Sequence, residues 1–403
     1  MSADDGRRSA IVVGAGPVGL SAALALSAAG VTATVLETEP QDRVRPGSRA
    51  IYVHGSTLRL LESMWPGLGE RLAQQGLVWP TRRTLWRGRE VFSRTYSGTA
   101  PDGLPHFTSL PQTAVEGLLL DACRKAEIEI VWASAVTGVE PGVDGVSVTT
   151  ASRRWLADYV VGADGARSTV RQAIGVEMEG SRSANSYVIV DVAEDGADPL
   201  PIERIFHYEH PAVGGRNVLL VPFAGGWRAD LQCNEDDDPE RFSNPAGARE
   251  WVGATLGAKY AERVTWVSTY QFLQVVAQSF VDTHRRVLLA GEAAHLFAPF
   301  GARGMNSGIA DAVAAAAAIA TAFDAPEIAS ATIDGFASHR LAAAQWNRAA
   351  AGEALAHLRA REPWRRAQRL AAVLAAPYSN AAAHWLDTAP YGPTGGPAVG
   401  SKY

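Results

Sequence analysis

Only two cysteines, Cys123 and Cys233, occur in 403 residues. They stand far apart and form no CxxC pair, so neither a disulfide framework nor a thiolate metal site is indicated, and both read as small buried hydrophobes. A basic excess is also missing. Lys and Arg number 37 against 42 Asp and Glu, a formal charge of −5, which gives a nucleic-acid backbone no footing. The longest apolar stretch, Ile11 to Val31, is no uninterrupted membrane span, because Gly14, Gly16, Pro17 and Gly19 break it where a strand would turn into a helix. Residues 1–9 are polar and supply no cationic, apolar leader, so a soluble, cytoplasmic chain with no membrane partner is expected. Internal repeats are absent. What remains, 47% hydrophobic and 20% charged residues, is ordinary globular composition with ample chain for a core. The length suits one large domain with an inserted layer, or two domains sharing a cleft.

Along the chain, Ile11–Val13 reads as a short buried strand, Pro17–Ala29 as an Ala/Leu-rich helix with proline in its first turn, and Val31–Leu36 as a second strand. This is a βαβ unit of a Rossmann-like layer. Between about Tyr187 and Phe272 the character changes. YVIVDV, RIFHYE, NVLLVPF, WRADLQC and VTWVSTYQF are short β-rich runs separated by Gly, Asp, Pro and Asn, the pattern of an inserted antiparallel sheet. From Arg286 a strand, a glycine-rich loop and a helix beginning near Met305 resume the first layer. Residues 333–376 read as amphipathic helix, and Pro390–Gly400 as a Pro/Gly-rich tail. The fold class expected is therefore α/β, divided as 1–180 and 281–330 for the nucleotide-binding layer, 181–280 for the inserted sheet, and 331–403 for C-terminal helices and tail.

Three separated segments carry chemistry. In the first, Gly14-Ala15-Gly16-Pro17-Val18-Gly19 joins strand to helix and Glu37 ends the next strand. Glycines are needed where a pyrophosphate approaches backbone N–H groups at a helix N-terminus, and the acid can accept both ribose hydroxyls of an adenosine. Glu39 is the alternative acid. The second segment runs from Val160 to Arg171 and contains Asp164-Gly165. The third runs from Leu289 through Gly291-Glu292 and His295 to Pro299, Gly304, Met305 and Asn306. There the backbone N–H groups of Gly304, Met305 and Asn306 would open a helix, a terminus that favours an anion. His295 and the run Ala314–Ala318 read as structural.

Taken together, the three segments resemble the fingerprints of class A FAD-dependent monooxygenases of the p-hydroxybenzoate hydroxylase fold, in that family's order and spacing, over about residues 10–320. The resemblance implies a GR2-type FAD-binding layer with an inserted substrate sheet, FAD as cofactor and NADH or NADPH as reductant. It implies that Asp164-Gly165 serves both FAD and nicotinamide. The family's third segment begins Gly-Asp, where this chain has Gly291-Glu292, an acceptor one methylene longer. The resemblance also places Arg49 and Gln112 against the flavin, with Arg43 and Arg45 as weaker candidates, and the Pro299 carbonyl near flavin C4a. No histidine, cysteine or tyrosine attachment motif is evident, so non-covalent FAD is expected.

The activity implied is hydroxylation of an activated phenol: NAD(P)H reduces FAD, oxygen adds at C4a, and the hydroperoxide passes its terminal oxygen to the ring in a dry pocket. The expected partners are a small aromatic substrate, O2, NAD(P)H and further copies of the chain in a homo-oligomer. Glu37, Glu39 and Asp42 would repel a 2′-phosphate, which favours NADH. A reductase or halogenase of the same fold and a non-enzymatic flavoprotein are the other readings; the eleven tryptophans include no Trp-x-Trp-x-Ile-Pro run, which counts against a halogenase. Aligned without gaps to the prototype, the carboxylate-clamp positions fall on Tyr208, His210 and Val218, and Arg216 on an arginine associated with flavin movement. The clamp is absent, so an uncharged phenol or hydroxylated heteroaromatic is expected. Tyr52, Tyr208, His210 and Tyr270 are candidates to line the pocket, and His54 or His207 to accept the phenol proton. The Ala/Arg-rich composition favours natural-product tailoring over catabolism of a hydroxybenzoate.

Overall fold

The computed structural model describes residues 8–96 and 101–393, apart from the side chains of 183–185. A five-stranded parallel sheet has the order Val287–Leu289, Tyr159–Gly162, Ser9–Val13, Thr32–Leu36, Glu129–Val131. Its strands are short apolar runs because both faces are covered, as parallel sheets require. Ile11, Val12, Val160, Val161 and Leu288 share one core with Leu20, Leu24 and Leu26 of helix Pro17–Ala28, with Leu119 of helix Gln112–Lys125, and with Ile309 and Ala315 of helix Arg303–Asp324. A three-stranded antiparallel sheet, Val136–Pro141, Val146–Thr150 and Arg154–Ala157, contributes Val139, Val148 and Ala157 to the same core.

Between Gly162 and Val287 the chain leaves this layer and builds most of an eight-stranded sheet. The order is His295–Leu296, Val264–Ala277, Met178–Ala193, Gly226–Gln232, Arg216–Phe223, Glu203–His210, Thr81–Trp86, Arg89–Thr95. All five expected β-runs are present. The last two strands were not anticipated, because they come from the part assigned to the nucleotide-binding layer. Their hairpin carries Arg82, Arg83, Arg89 and Arg94, and only Thr84 is buried, so its apolar alternation is faint; it joins the sheet parallel to Glu203–His210.

The sheet alternates cleanly. Val188, Val190, Val218, Leu220, Ala229 and Leu231 point to one face and pack with Trp251 and Val252 of helix Pro245–Leu256. Their neighbours Tyr187, Ile189, Leu219 and Asp230 point to the other, toward the segment preceding Arg303 and the C-terminal helices. Those helices are Ala329–Arg359, Pro363–Ala375 and Asn380–Thr388, with the first break at Ala360 in the left-handed region, just ahead of Pro363. The expected tail lies mostly beyond Pro393, outside the described residues. One helix among the described residues, Arg303–Asp324, is long and apolar enough to cross a membrane, and 61% of its apolar 18-residue stretch is buried inside the protein. The run Ile11–Val31 is instead divided between a strand and a helix.

Candidate active site

The three sequence segments converge on one edge of the parallel sheet. Gly14, with φ of +102°, lies so close to the second segment that a β-carbon would come within 2.5 Å of the Ala163 carbonyl oxygen. A β-carbon on Gly19 would fall 1.9 Å from the Gly14 oxygen, and one on Gly291 would fall 2.9 Å from Val18 of the first segment. Glu292 Oε2 lies about 4.0 Å from the corresponding point on Gly165. Gly16 differs from all of these: nothing lies within 4 Å of its missing side chain, although it forms the N-cap of helix Pro17–Ala28. The N-cap makes no side-chain hydrogen bond to the first N–H groups of that helix. Gly304 likewise meets nothing, at the uncapped start of helix Arg303–Asp324. Two bare helix N-termini with room in front of them fit an anionic dinucleotide.

Glu37 is 5% exposed at the end of the second strand. Its Oε2 accepts the Ala15 N–H at 2.5 Å and its Oε1 accepts the Glu39 N–H at 2.9 Å. Burial pushes its carboxyl up, but those two N–H groups and the Arg43 guanidinium outweigh it, so the pKa falls below the ordinary carboxylate value. Arg43 sits 3.0 Å from Glu37 and donates to the Ala15 carbonyl at 2.7 Å. For Glu37 to receive ribose hydroxyls that ion pair has to shift. The acidic cluster expected to repel a 2′-phosphate is also not purely acidic, since Arg45 pairs with Glu39 at 3.1 Å and with Glu116 at 3.3 Å.

The remaining cofactor candidates divide into those facing outward and those tied into the framework. Asp164 braces the start of helix Thr169–Ala173, whose N-cap is Ser168, accepting from Ser168 Oγ at 2.5 Å and Val170 N–H at 3.0 Å; its carboxylate holds the loop that presents Gly165. Asn306 accepts the His54 N–H and donates to the Tyr52 carbonyl, both at 2.9 Å, so its side chain anchors strand Tyr52–His54 to the helix start. Gln112 donates to Glu116 at 2.9 Å and accepts from Ala50 N–H at 3.4 Å. Met305 packs partly against the core. Arg49 is exposed and left-handed, and among the described residues its side chain makes no hydrogen bond or ion pair, which leaves the fork available. Below the third segment lies a buried triad. His295 Nε2 is 2.6 Å from Asp311 Oδ2, and Arg340 donates to Oδ1 at 2.6 Å, as befits the structural role expected of His295.

A cavity, open at its mouth, sits on the second face of the large sheet. Cross-strand pairing explains its wall: Ile189, Asp230, Leu219 and Phe206 are successive partners in one row, and Tyr187 and Gln232 are partners in the next. Asn217 donates to Gln232 at 2.9 Å, and Phe272, Leu358, Pro390 and Tyr391 complete the sides. Pro299 and Phe300 close the cavity from the loop leading into helix Arg303–Asp324. The Pro299 carbonyl, expected near the flavin, accepts the Ala302 N–H at 2.9 Å.

The other three catalytic candidates do not line this cavity. Arg216 points to the opposite face, paired with Asp237 through Nε at 2.7 Å and lying over Phe242. Val218 shares that face. Tyr208 lies on the cavity's side but is wholly buried behind it, 2.7 Å from His357 Nε2 and donating to the Leu386 carbonyl at 2.7 Å. His210 accepts the Ala212 N–H at 3.2 Å and so caps the turn Pro211–Val213. The physical reason is an irregular register between His207 and His210, which an ungapped alignment cannot see. Tyr52 stacks on Phe107 in a neighbouring aromatic cluster, and Tyr270 is outside the cavity lining. His54 contacts the Gly301 carbonyl at 3.1 Å, and burial lowers its pKa to about 4; burial and His210 lower that of His207 to about 3, and neither lines the cavity. Tyr187, Phe206, Asn217 and Asp230 were missed, although the charge inside WRADLQC marks Asp230.

Comparison with known proteins agrees with this geometry. The FAD binding domain family model matches residues 7–349. A 6-methylpretetramide 4-monooxygenase of Streptomyces rimosus is 30% identical over 75% of this chain and 54% of its own length. A para-nitrophenol 4-monooxygenase of Pseudomonas sp. is 30% identical over 75% of each chain. The crystal structure of p-nitrophenol 4-monooxygenase from Pseudomonas putida superposes with a TM-score of 0.77 and 25% identity, covering 94% of this chain and 96% of that one. The chain spans about half the length of several curated relatives it matches. It belongs to the FAD binding domain family and, within it, to the FAD-dependent monooxygenases of the p-hydroxybenzoate hydroxylase fold.

Proposed function

We propose that this chain hydroxylates an uncharged phenol or hydroxylated heteroaromatic, consuming O2 and NADH or NADPH. The observation that carries the reading is the cavity: it is lined mainly by apolar and aromatic side chains, shares the Pro299–Phe300 wall with the loop leading into an uncapped helix N-terminus, and among the described residues has no cationic side chain in its lining. A substrate carboxylate there would be desolvated without a counter-ion and would face Asp230, at a cost of several kcal/mol. Bound FAD supplies hydride acceptance and oxygen activation. The protein's own residues do the rest. Gly14, Gly16, Pro17 and Gly19 present backbone to the pyrophosphate, with Glu37, Arg49, Gln112, Asp164 and Gly165 around the nucleotide. Gly291 and Glu292 lie along the ribityl side. The N–H groups at Gly304, Met305 and Asn306 hold negative charge on the reduced ring. Phe206, Leu219, Phe272 and Phe300 exclude water from the reacting edge. With arginines interleaved among Glu37, Glu39 and Glu116, charge alone no longer decides between NADH and NADPH.

Relatives named for 6-methylpretetramide and for para-nitrophenol, neither name implying a carboxylate on the reacting ring, support the same substrate class, and we favour tailoring of a natural product over hydroxybenzoate catabolism. The test is a panel of phenols, hydroxypyridines and hydroxybenzoates, scored together for nicotinamide oxidation, oxygen uptake and hydroxylated product. Tight coupling with uncharged phenols is expected. Coupling confined to a simple hydroxybenzoate would overturn the reading.

A further inference from the structure

Asp230 is the cavity's discordant residue. Its row partners across the sheet are Ile189 and Leu219, with Phe206 one strand further, so a carboxylate stands in an otherwise apolar row. The side chain is 18% exposed and faces the same space as those three. Arg228, two residues earlier on the same strand, donates to Oδ1 at 2.8 Å and also reaches the Arg49 carbonyl. Among the described residues Oδ2 accepts no hydrogen bond. The neighbouring Tyr187 hydroxyl is buried in the same wall and is also without a hydrogen-bond partner. Unsatisfied polar atoms at a cavity surface call for a partner from outside the chain.

Resting on the hydroxylase reading above, we propose that Asp230 selects and orients the substrate: its free oxygen accepts a hydrogen bond from the ring hydroxyl or ring-attached N–H of an uncharged aromatic, and its charge turns away rings that carry a carboxylate. Arg228 fixes the carboxylate through the other oxygen and keeps the acceptor pointed into the cavity. A hydrogen bond to a charged acceptor discriminates against a ligand without the donor by about ten- to a hundred-fold. No proton needs to leave the substrate for this selection.

Equilibrium dialysis of the FAD-loaded protein against 4-nitrophenol, 4-nitroanisole and 4-nitrobenzoate, below the pH at which the phenol ionises, tests it. The wild type should prefer the phenol to the anisole by at least about tenfold and bind the benzoate most weakly. Asp230→Leu should lose the preference for the phenol while holding the anisole as well or better. Asp230→Asn, nearly isosteric, should retain part of that preference through its amide oxygen but lose the rejection of the benzoate. FAD content and circular dichroism report folding; if the leucine variant fails to fold, the asparagine variant decides. Variants that keep both preferences, in an enzyme that still hydroxylates phenols, overturn the role of Asp230 alone. A wild type that binds none of the three probes, and whose nicotinamide oxidation no aromatic accelerates, overturns this role and the hydroxylase reading together.

Discussion

The nucleotide-binding layer and the inserted sheet present binding groups in different ways. In the first, the groups we propose are backbone N–H groups at two helix starts, where Gly16 and Gly304 leave open space. In the second they are side chains aimed by strand alternation, such as Asp230 and Phe206. A site made of backbone is written into local sequence, because removing a β-carbon leaves a visible glycine. A site made of alternate residues on five strands depends on register, and one irregularity exchanges the faces.

Two glycines three residues apart separate binding from folding within the first region, and they give the largest expected effects. Gly16→Val places its side chain in open space, so the apoprotein should melt like wild type while FAD affinity falls roughly a hundred-fold through loss of about two charge-assisted hydrogen bonds. Gly19→Val drives its β-carbon into the Gly14 carbonyl and should cost the fold at least about 3 kcal/mol, lowering Tm by several degrees even without FAD. Calorimetry with FAD titration distinguishes them. Equal loss of Tm in both variants would remove the contrast.

This division accounts for what was legible in the sequence. The βαβ unit, the five β-runs and the helix near Met305 were readable because each is a local apolar pattern ended by glycine or proline. Hairpin Thr81–Thr95 was not, because arginines cover it and only Thr84 is buried. At the site, Pro299 stands in the cavity wall as part of a contiguous segment. Arg216 and His210 do not line it, since parity and the irregularity after His207 decide which face they occupy, and Tyr208, on the cavity's side, is buried behind the wall. Asp164 and Asn306 stand at their expected places, yet their side chains brace the backbone.

A buried charge should matter more to the first region than any single contact matters to the second. Burial pushes the Asp311 carboxyl up, but the charges of His295 and Arg340 and their hydrogen bonds outweigh it, so its pKa lies below the ordinary value. A carboxylate with a depressed folded pKa adds stability that is present above its unfolded pKa and lost as pH falls through the folded one. Asp311→Asn leaves Arg340 buried with a neutral partner and should cost about 3–5 kcal/mol at neutral pH. Urea melts measure it, and a loss under about 1 kcal/mol would show that the triad is not a charged one.

Acid probes both regions at once. Burial lowers the pKa of His54 from 6.5 to about 4 and that of His357 to about 3, with Arg369 and Arg365 adding to the latter. The unfolded chain therefore binds protons that the folded chain refuses below pH 6.5, and stability is full above that value and declines as pH falls toward 4. His357→Gln, which keeps a polar group beside the Tyr208 hydroxyl, should flatten the decline by the contribution of one proton. An unchanged slope would mean that His357 is protonated in the fold.

The smallest effect uses the two cysteines, one in each region. Cys123 is buried behind the nucleotide-binding layer, 3.6 Å from the Leu20 carbonyl, and Cys233 is buried at the end of strand Gly226–Gln232. Burial pushes both thiols up to about 12, with Asp237 adding to the effect at Cys233, so almost no thiolate exists at neutral pH. Neither should react with a disulfide reagent in the native state, and both should react once unfolded. In low denaturant the order of labelling reports which region opens first. Cys233 is expected to lead, because its strand runs directly into the exposed segment Asn234–Asp236, whereas Cys123 lies within a helix packed on the main core. Labelling of Cys123 before Cys233 would place the weaker packing in the nucleotide-binding layer and reverse the comparison.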